Sequence, residues 1–98
     1  MGRLIRKAIN EIDPEAEIIL YGSRARGDER PDSDWDILVL THYPINLEAE
    51  QKFRNKIYDL ELETGEPLSI FVYSREDWTT KQRITPFYDN VNQEGINL

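Results

Sequence analysis

The run Trp-Asp-Ile-Leu-Val-Leu at residues 35–40 constrains the fold more than any other part of this sequence. A strand built from it carries large apolar side chains on both faces, which is typical of a sheet covered on both sides. Two further runs, at 17–21 and 68–73, are rich in β-prone residues and predict two more strands. A stretch with a helical pattern lies between the second and third of these runs in chain order, and others precede and follow the three. The chain is therefore expected to form a small α/β sheet domain.

Two long stretches around the predicted strands carry helix signals. Residues 3–12 predict an amphipathic first helix, whose apolar positions at helical spacing are Leu4, Ile5, Ala8, Ile9 and Ile12. A second helix is predicted over about 47–63, with Asn46 as its N-cap and Gly65 just past its end. The expected buried stripe of this helix consists of Ala49, Phe53, Ile57 and Leu60.

Two shorter helices are predicted toward the end of the chain. Ser74 and Asp77 can form a capping box for a short helix that carries Trp78. Thr85-Pro86 resembles an N-cap followed by a proline at the first helical position, which starts a last helix. The order helix, strand, turn, strand, helix, strand, helix, helix indicates an α+β fold in an α/β two-layer arrangement.

Length and composition exclude several classes of protein. The 98 residues allow one domain, 1–98, and the net charge of −7 argues against a general nucleic-acid binder, because phosphate backbones select basic surfaces. No run approaches the ~18 apolar residues of a membrane helix, so no membrane association is expected. The first ten residues lack the apolar core of a secretory signal. The absence of cysteine excludes disulfides and thiol catalysis, and it fits a cytoplasmic protein.

The segment after the first predicted strand, Gly-Ser-Arg-Ala-Arg-Gly at 22–27, has the chemistry of an anion site. Gly22 lets the backbone approach a ligand closely. Ser23 offers a hydroxyl and can cap a short helix whose free N–H groups face an anion. Arg24 and Arg26 supply cations beside that site. These residues are candidates for binding the phosphates of a nucleotide.

The segment Ser-Asp-Trp-Asp at 33–36 leads into the second predicted strand. Residues i and i+2 of a strand point to the same face, so Asp34 and Asp36 are expected to converge with their Cα atoms ~7 Å apart. Trp35 then points to the other face and can enter the core. Two carboxylates on one face repel each other and favour a hard cation such as Mg²⁺. Asp34 and Asp36 are therefore the candidate metal-binding and catalytic residues of a phosphoryl transfer.

Each motif also has a simpler interpretation. A lone Gly-Ser is usually only a turn, and a lone Asp-x-Asp is usually solvated surface. Arg24 and Arg26 could form surface ion pairs with Asp28 or Glu29. The ordered combination of strand, Gly-Ser-x-x-Arg-Gly, short polar loop and Ser-Asp-x-Asp entering a second strand is far more specific than its parts.

That combination resembles the signature of the minimal nucleotidyltransferases of the DNA polymerase beta superfamily. The segments at 68–78 and 92–98 are also similar to short members of this family. The resemblance implies a nucleotidyltransferase fold, with a small mixed sheet of three to four strands flanked by helices. It implies transfer of a nucleoside monophosphate from ATP or another NTP to an acceptor hydroxyl, with release of pyrophosphate. Gly22 and Ser23 would hold the triphosphate, and Asp34 and Asp36 would bind two Mg²⁺ ions.

The resemblance also implies a partner. Many short members pair with a helical HEPN protein as antitoxin and toxin, and some of them transfer AMP to a tyrosine of the toxin. The 98 residues leave no segment for an acceptor-binding domain. A HEPN-type toxin or a second copy of the chain is therefore expected to complete the site.

One position departs from the family pattern. The third carboxylate of the family, on the next strand, corresponds to Ser69. Serine is a weak metal ligand and a poor base, so one of the two Mg²⁺ ions could be lost. Glu66 is interpreted as an exposed carboxylate near a helix end rather than a substitute ligand. Three hypotheses stay open: an active transferase, an antitoxin-type binding module with weak or no catalysis, and, less favoured, a regulatory nucleotide sensor.

Overall fold

The structure is a computed structural model that describes residues 1–28 and 30–98. Glu29, one of the two acids considered as partners for Arg24 and Arg26, lies outside the described residues. The elements in chain order are α1 Gly2–Ile12, β1 Glu17–Tyr21, α2 Ser23–Arg26, β2 Trp35–Thr41, α3 Leu47–Thr64, β3 Leu68–Ser74, α4 Arg75–Thr79, α5 Pro86–Glu94 and β4 Ile96–Asn97. Within the described ranges, no helix is long and apolar enough to span a bilayer.

The strands form one mixed sheet in the order β3-β2-β1-β4. β2 pairs parallel with β3, and α3 is the connection that a parallel pair requires. β1 is antiparallel to both of its neighbours, β2 and β4. The expected mixed sheet flanked by helices is confirmed.

β2 explains why helices cover both faces of this sheet. Ile37 and Val39 point into a cluster with α1 and α3, whereas Leu38 and Leu40 point to the opposite face and contact α4 and α5. All four side chains are buried. The sheet and the helices α1 and α3 form the expected two layers. Helices α4 and α5 add a small third layer on the opposite face, as the apolar pattern of β2 requires.

The helix starts lie where the polar signals predict them. The side chain of Asn46 accepts a hydrogen bond from the N–H of Ala49 at 2.8 Å. Ser74 Oγ accepts from the N–H of Asp77 at 3.1 Å, and Thr85 Oγ1 accepts from Tyr88 at the same distance. Each contact satisfies a backbone N–H that has no partner inside its helix.

Three details differ from the expectations. Leu4 is 45% exposed, because α1 presents only the face of Ile5, Ala8 and Ile9 to the core. Ala49 is only partly buried, since the first turn of α3 extends beyond the sheet core. Strand β4 was not predicted from local sequence, because two residues are too few to show a pattern.

Candidate functional site

The antiparallel pairing of β1 and β2 brings the two motifs together. Tyr21, the last residue of β1, pairs with Asp36 near the start of β2. The turn that follows Tyr21 therefore lies beside the residues that enter β2. Gly22, Ser23 and Asp36 share this end of the sheet although up to 14 positions separate them in the chain.

Gly22 forms the sharp turn between β1 and α2. Its φ of 78° and ψ of −160° are unfavourable for residues with a side chain. A Cβ at this position would overlap Oδ2 of Asp36. Gly22 thus allows the carboxylate of Asp36 to lie directly against the backbone of the turn.

The expectation that Ser23 caps the short helix is wrong. Gly22 occupies the N-cap position, and Ser23 is the first residue of α2. The Gly22 carbonyl accepts from the N–H groups of Ala25 and Arg26, both at 3.1 Å. Among the described residues, the N–H groups of Ser23 and Arg24 have no hydrogen-bond acceptor. The turn therefore leaves two donors and the Ser23 hydroxyl for a ligand.

The pKa of Asp36 is raised in the folded protein. Burial raises its pKa, the charge of Asp34 raises it further, Arg26 partly opposes the shift, and the charge of Glu94 adds to it. Asp36 lies on the same face of β2 as Leu38, whereas Trp35 packs against the α1–α3 cluster. Trp35 and Asp36 therefore alternate across β2 as expected. Asp34 lies just before this strand and its charge acts on Asp36, so the convergence of the two carboxylates stays a prediction.

The donor set fits Mg²⁺ with two protein carboxylates. Asp34 and Asp36 offer only oxygen ligands, and a cation would offset their repulsion. The residue beside Asp36 on the parallel strand β3 is Ser69, on the same face of the sheet. Within residues 1–28 and 30–98, no group of three acidic, histidine or cysteine side chains could share one ion. Water and substrate phosphates would complete the coordination shell of an ion held by the Asp pair.

Arg24 contacts the loop that leads to β2. Its Nη2 and Nε groups donate to the Ser33 carbonyl at 3.1 and 3.3 Å. Its guanidinium carbon lies 4.5 Å from the ring centroid of Trp35, and Nη2 lies 3.7 Å from Glu66 Oε2. The Arg24 side chain is only 13% exposed, whereas that of Glu66 is 41% exposed. Arg24 thus fixes the backbone just before Asp34, and Glu66 forms an ion pair outside the Asp pair.

Arg26 lies on the other side of α2 and contacts two acids. Its Nη1 group donates to Oε2 of Glu94 at 2.9 Å, and its Nε group donates to Oδ2 of Asp28 at 3.3 Å. These hydrogen bonds raise the pKa of Arg26. The second carboxylate oxygen of Glu94 accepts the N–H of Gly22 at 3.1 Å.

Glu94 was not among the residues predicted for the site. It ends α5, 72 positions after Gly22, and nothing in its local sequence distinguishes it from the other acids of the chain. The similarity of residues 92–98 to short members of the family was the signal that could have directed attention to it.

A model of the nucleotidyltransferase domain family matches residues 3–88 of this chain. The chain belongs to the nucleotidyltransferase domain family. The match includes α2, β2, β3 and all the residues predicted for the site. No curated protein gives a significant match to the sequence.

Solved structures share the fold of this nucleotidyltransferase domain. A toxin-antitoxin crystal structure with AMP-PNP aligns at a TM-score of 0.66 and 19% identity, over 97% of this chain and 69% of the other. A Y-to-A mutant of the toxin-antitoxin MntA-HpeT aligns at 0.66 and 20% identity, over 100% and 71% of the two chains. A protein provisionally described as a minimal nucleotidyltransferase aligns at 0.63 and 24% identity, over 99% and 92%.

Proposed function

We propose that this protein is a Mg²⁺-dependent nucleotidyltransferase that transfers a nucleoside monophosphate from an NTP to an acceptor hydroxyl. The observation that carries the proposal is the contact between the two motifs, in which the Asp36 carboxylate lies against the Gly22 turn. Phosphate-binding groups and metal-binding groups must be adjacent in a phosphoryl transfer, because a metal held by the carboxylates would stabilise charge on the substrate phosphates.

Each group has a defined part in this proposal. The free N–H groups at Ser23 and Arg24, the Ser23 hydroxyl and the Arg26 guanidinium would contact the triphosphate. Asp34 and Asp36 would hold Mg²⁺, which supplies charge stabilisation to the phosphate oxygens when bound. Arg24, assigned to nucleotide binding from the sequence, would act through its side chain on the loop that carries Asp34.

The reaction forms a bond between the acceptor oxygen and the α-phosphorus of the NTP. The bond from that phosphorus to the pyrophosphate oxygen breaks, and the hydroxyl proton leaves to a base. Ser69 occupies the neighbouring strand position where the family pattern has a carboxylate. The base would therefore come from the acceptor side, and catalysis by this chain alone would be slow.

ATP is the nucleotide that we favour, and a protein is the acceptor that we favour. One structure with the same fold is a toxin-antitoxin complex with AMP-PNP, an ATP analogue. Another is an MntA-HpeT complex with two Asp-to-Glu changes two positions apart, which is the spacing of Asp34 and Asp36. These likenesses support transfer of AMP to a HEPN-type toxin. The sequence contains no cysteine and so needs no oxidising compartment, which favours the cytoplasm.

The test is transfer of label from α-labelled NTPs in the presence of Mg²⁺ and a co-purified partner. The native protein is expected to label the partner, whereas Asp34→Ala and Asp36→Ala are expected to give no label. Asp32→Ala, an exposed acid of the same loop, is the matched control and should label normally. Equal labelling by all four proteins, or no labelling of any acceptor by the native protein, contradicts the proposal.

Ser69 favours a second candidate, an antitoxin-type binding module without turnover. Because Ser69 and not a carboxylate pairs with Asp36 on β3, this candidate binds the partner without catalysing transfer. This hypothesis expects the Asp34→Ala/Asp36→Ala double variant to protect cells from the partner toxin as well as the native chain does. Return of toxicity while the complex still forms would favour the enzyme and reject the binding module.

A further inference from the structure

Glu94 uses both of its carboxylate oxygens on groups of the candidate phosphate site. Oε1 accepts the backbone N–H of Gly22, and Oε2 accepts from Nη1 of Arg26. The two contacts are 3.1 and 2.9 Å long, and the Glu94 side chain is only 19% exposed. One side chain therefore links the start and the end of α2.

The backbone around Glu94 is held against β1, the strand that ends at this site. Strand β4 begins two residues after Glu94, and its Ile96 pairs with Leu20. Gly95, between Glu94 and β4, lies so close to β1 that an added Cβ would be 2.7 Å from Cγ2 of Ile19 and 2.5 Å from the Val91 carbonyl oxygen. The residues that follow Glu94 are therefore packed against β1.

We propose that Glu94 is a positioning residue, which orders the Gly22 turn and the Arg26 guanidinium for the triphosphate; this inference rests on the proposed function. The guanidinium carries five N–H donors, and Glu94 and Asp28 engage only its Nη1 and Nε groups. Within residues 1–28 and 30–98 its other donors have no acceptor, and they would be offered to a phosphate. An arginine already held in one orientation loses less side-chain entropy when the ligand binds.

The negative charge of Glu94 has an opposing effect, because it repels phosphate. Charge-assisted hydrogen bonds to Gly22 and Arg26 act at contact distance, whereas the repulsion acts over a longer distance and is screened by solvent and ions. The positioning effect therefore exceeds the repulsion, and removal of Glu94 weakens nucleotide binding.

The test is calorimetric titration of the full chain with AMP-PNP and Mg²⁺. Glu94→Ala is expected to bind about tenfold more weakly than the native chain, through loss of its charge-assisted hydrogen bonds. Glu94→Gln can still accept the Gly22 N–H but brings no charge to Arg26, so an intermediate affinity is expected. Gln93→Ala, at an exposed neighbouring position, is the control and should bind as the native chain does. If Glu94→Ala does not fold, Glu94→Gln carries the test.

A double-mutant cycle with Arg26→Ala separates positioning from a general structural role. If Glu94 acts through Arg26, the losses of affinity in Glu94→Gln and Arg26→Ala are not additive. Additive losses, or unchanged or tighter binding by Glu94→Ala and Glu94→Gln, overturn the inference and leave the proposed function standing. Absence of nucleotide binding by the native chain contradicts the proposed function itself.

Discussion

The carboxylate of Asp36 lies against the Cα of Gly22, in the space that a side chain at position 22 would fill. Gly22 belongs to the motif that follows β1, and Asp36 belongs to the motif that enters β2. The two motifs are therefore in contact. A metal held by the aspartates would lie beside the turn that offers donors to phosphate.

This contact predicts an unusually high cost for Gly22→Ala. The new methyl group would overlap Asp36 Oδ2, and the backbone φ of +78° is itself unfavourable for alanine. We expect a loss of about 2–4 kcal/mol in the free energy of unfolding, together with loss of Mg²⁺ and nucleotide binding. Denaturant unfolding and calorimetry measure the two effects.

Gly65→Ala is the matched control, because Gly65 has a φ of +74° with open space around the added methyl. It should lose about 1 kcal/mol from backbone strain alone and bind ligands normally. Equal losses at the two glycines would show that Asp36 does not occupy the space beside Gly22.

The raised pKa of Asp36 predicts how stability depends on pH in the absence of metal. Because its pKa is higher in the folded than in the unfolded protein, the folded state binds more protons between the unfolded value near 3.8 and the folded value. Its contribution to stability is therefore lost as the pH rises through that window. Asp36→Asn should remove this part of the pH dependence of unfolding.

Mg²⁺ should lower the pKa of Asp36, because a cation favours the ionised form and offsets both burial and the charge of Asp34. Nuclear magnetic resonance titration of the carboxyl carbon measures the shift with and without the metal. Na⁺ at matched ionic strength distinguishes binding from screening. A pKa unchanged by Mg²⁺ would argue against an ion on this carboxylate.

Ser69→Asp is predicted to strengthen Mg²⁺ binding several-fold and to raise the rate of nucleotide transfer. Ser69 pairs with Asp36 on the parallel strand, so the new carboxylate would lie on the same face beside the existing pair. In metal-free buffer the same variant should unfold at lower temperature, since three carboxylates repel one another. Ser69→Asn has a similar shape without the charge and should show neither effect.

Arg24 is predicted to stabilise the loop before Asp34. Arg24→Ala removes the bonds to the Ser33 carbonyl and the contact with the Trp35 ring, which should cost about 1–2 kcal/mol in unfolding free energy. Arg24→Lys should retain only part of this unfolding free energy, because an ammonium group lacks the planar fork of a guanidinium. Thermal unfolding measures the stability of both variants, and Arg3→Ala, at an exposed position, is the control. Full stability in Arg24→Ala would mean that the loop does not depend on this side chain.

Local sequence determined most of the framework of this protein. The apolar runs predicted β1, β2 and β3 with ends that differ by at most one residue, and Asn46, Ser74 and Thr85 predicted three helix starts. Such signals succeed because strand alternation and capping depend on residues within about four positions of one another. The same locality made Asp34 and Asp36 recognisable as a pair.

Tertiary structure alone decided the contacts around that pair. Arg24 turns toward Trp35, while Arg26 turns toward Glu94, 68 positions away. No periodic or capping signal distinguishes these two arginines, because their partners are set by where the strands pair. The two-residue strand β4 lies next to β1 and brings Glu94 to Gly22. Sequence thus determined which groups the site contains, and the order of strands in the sheet decided which of them meet.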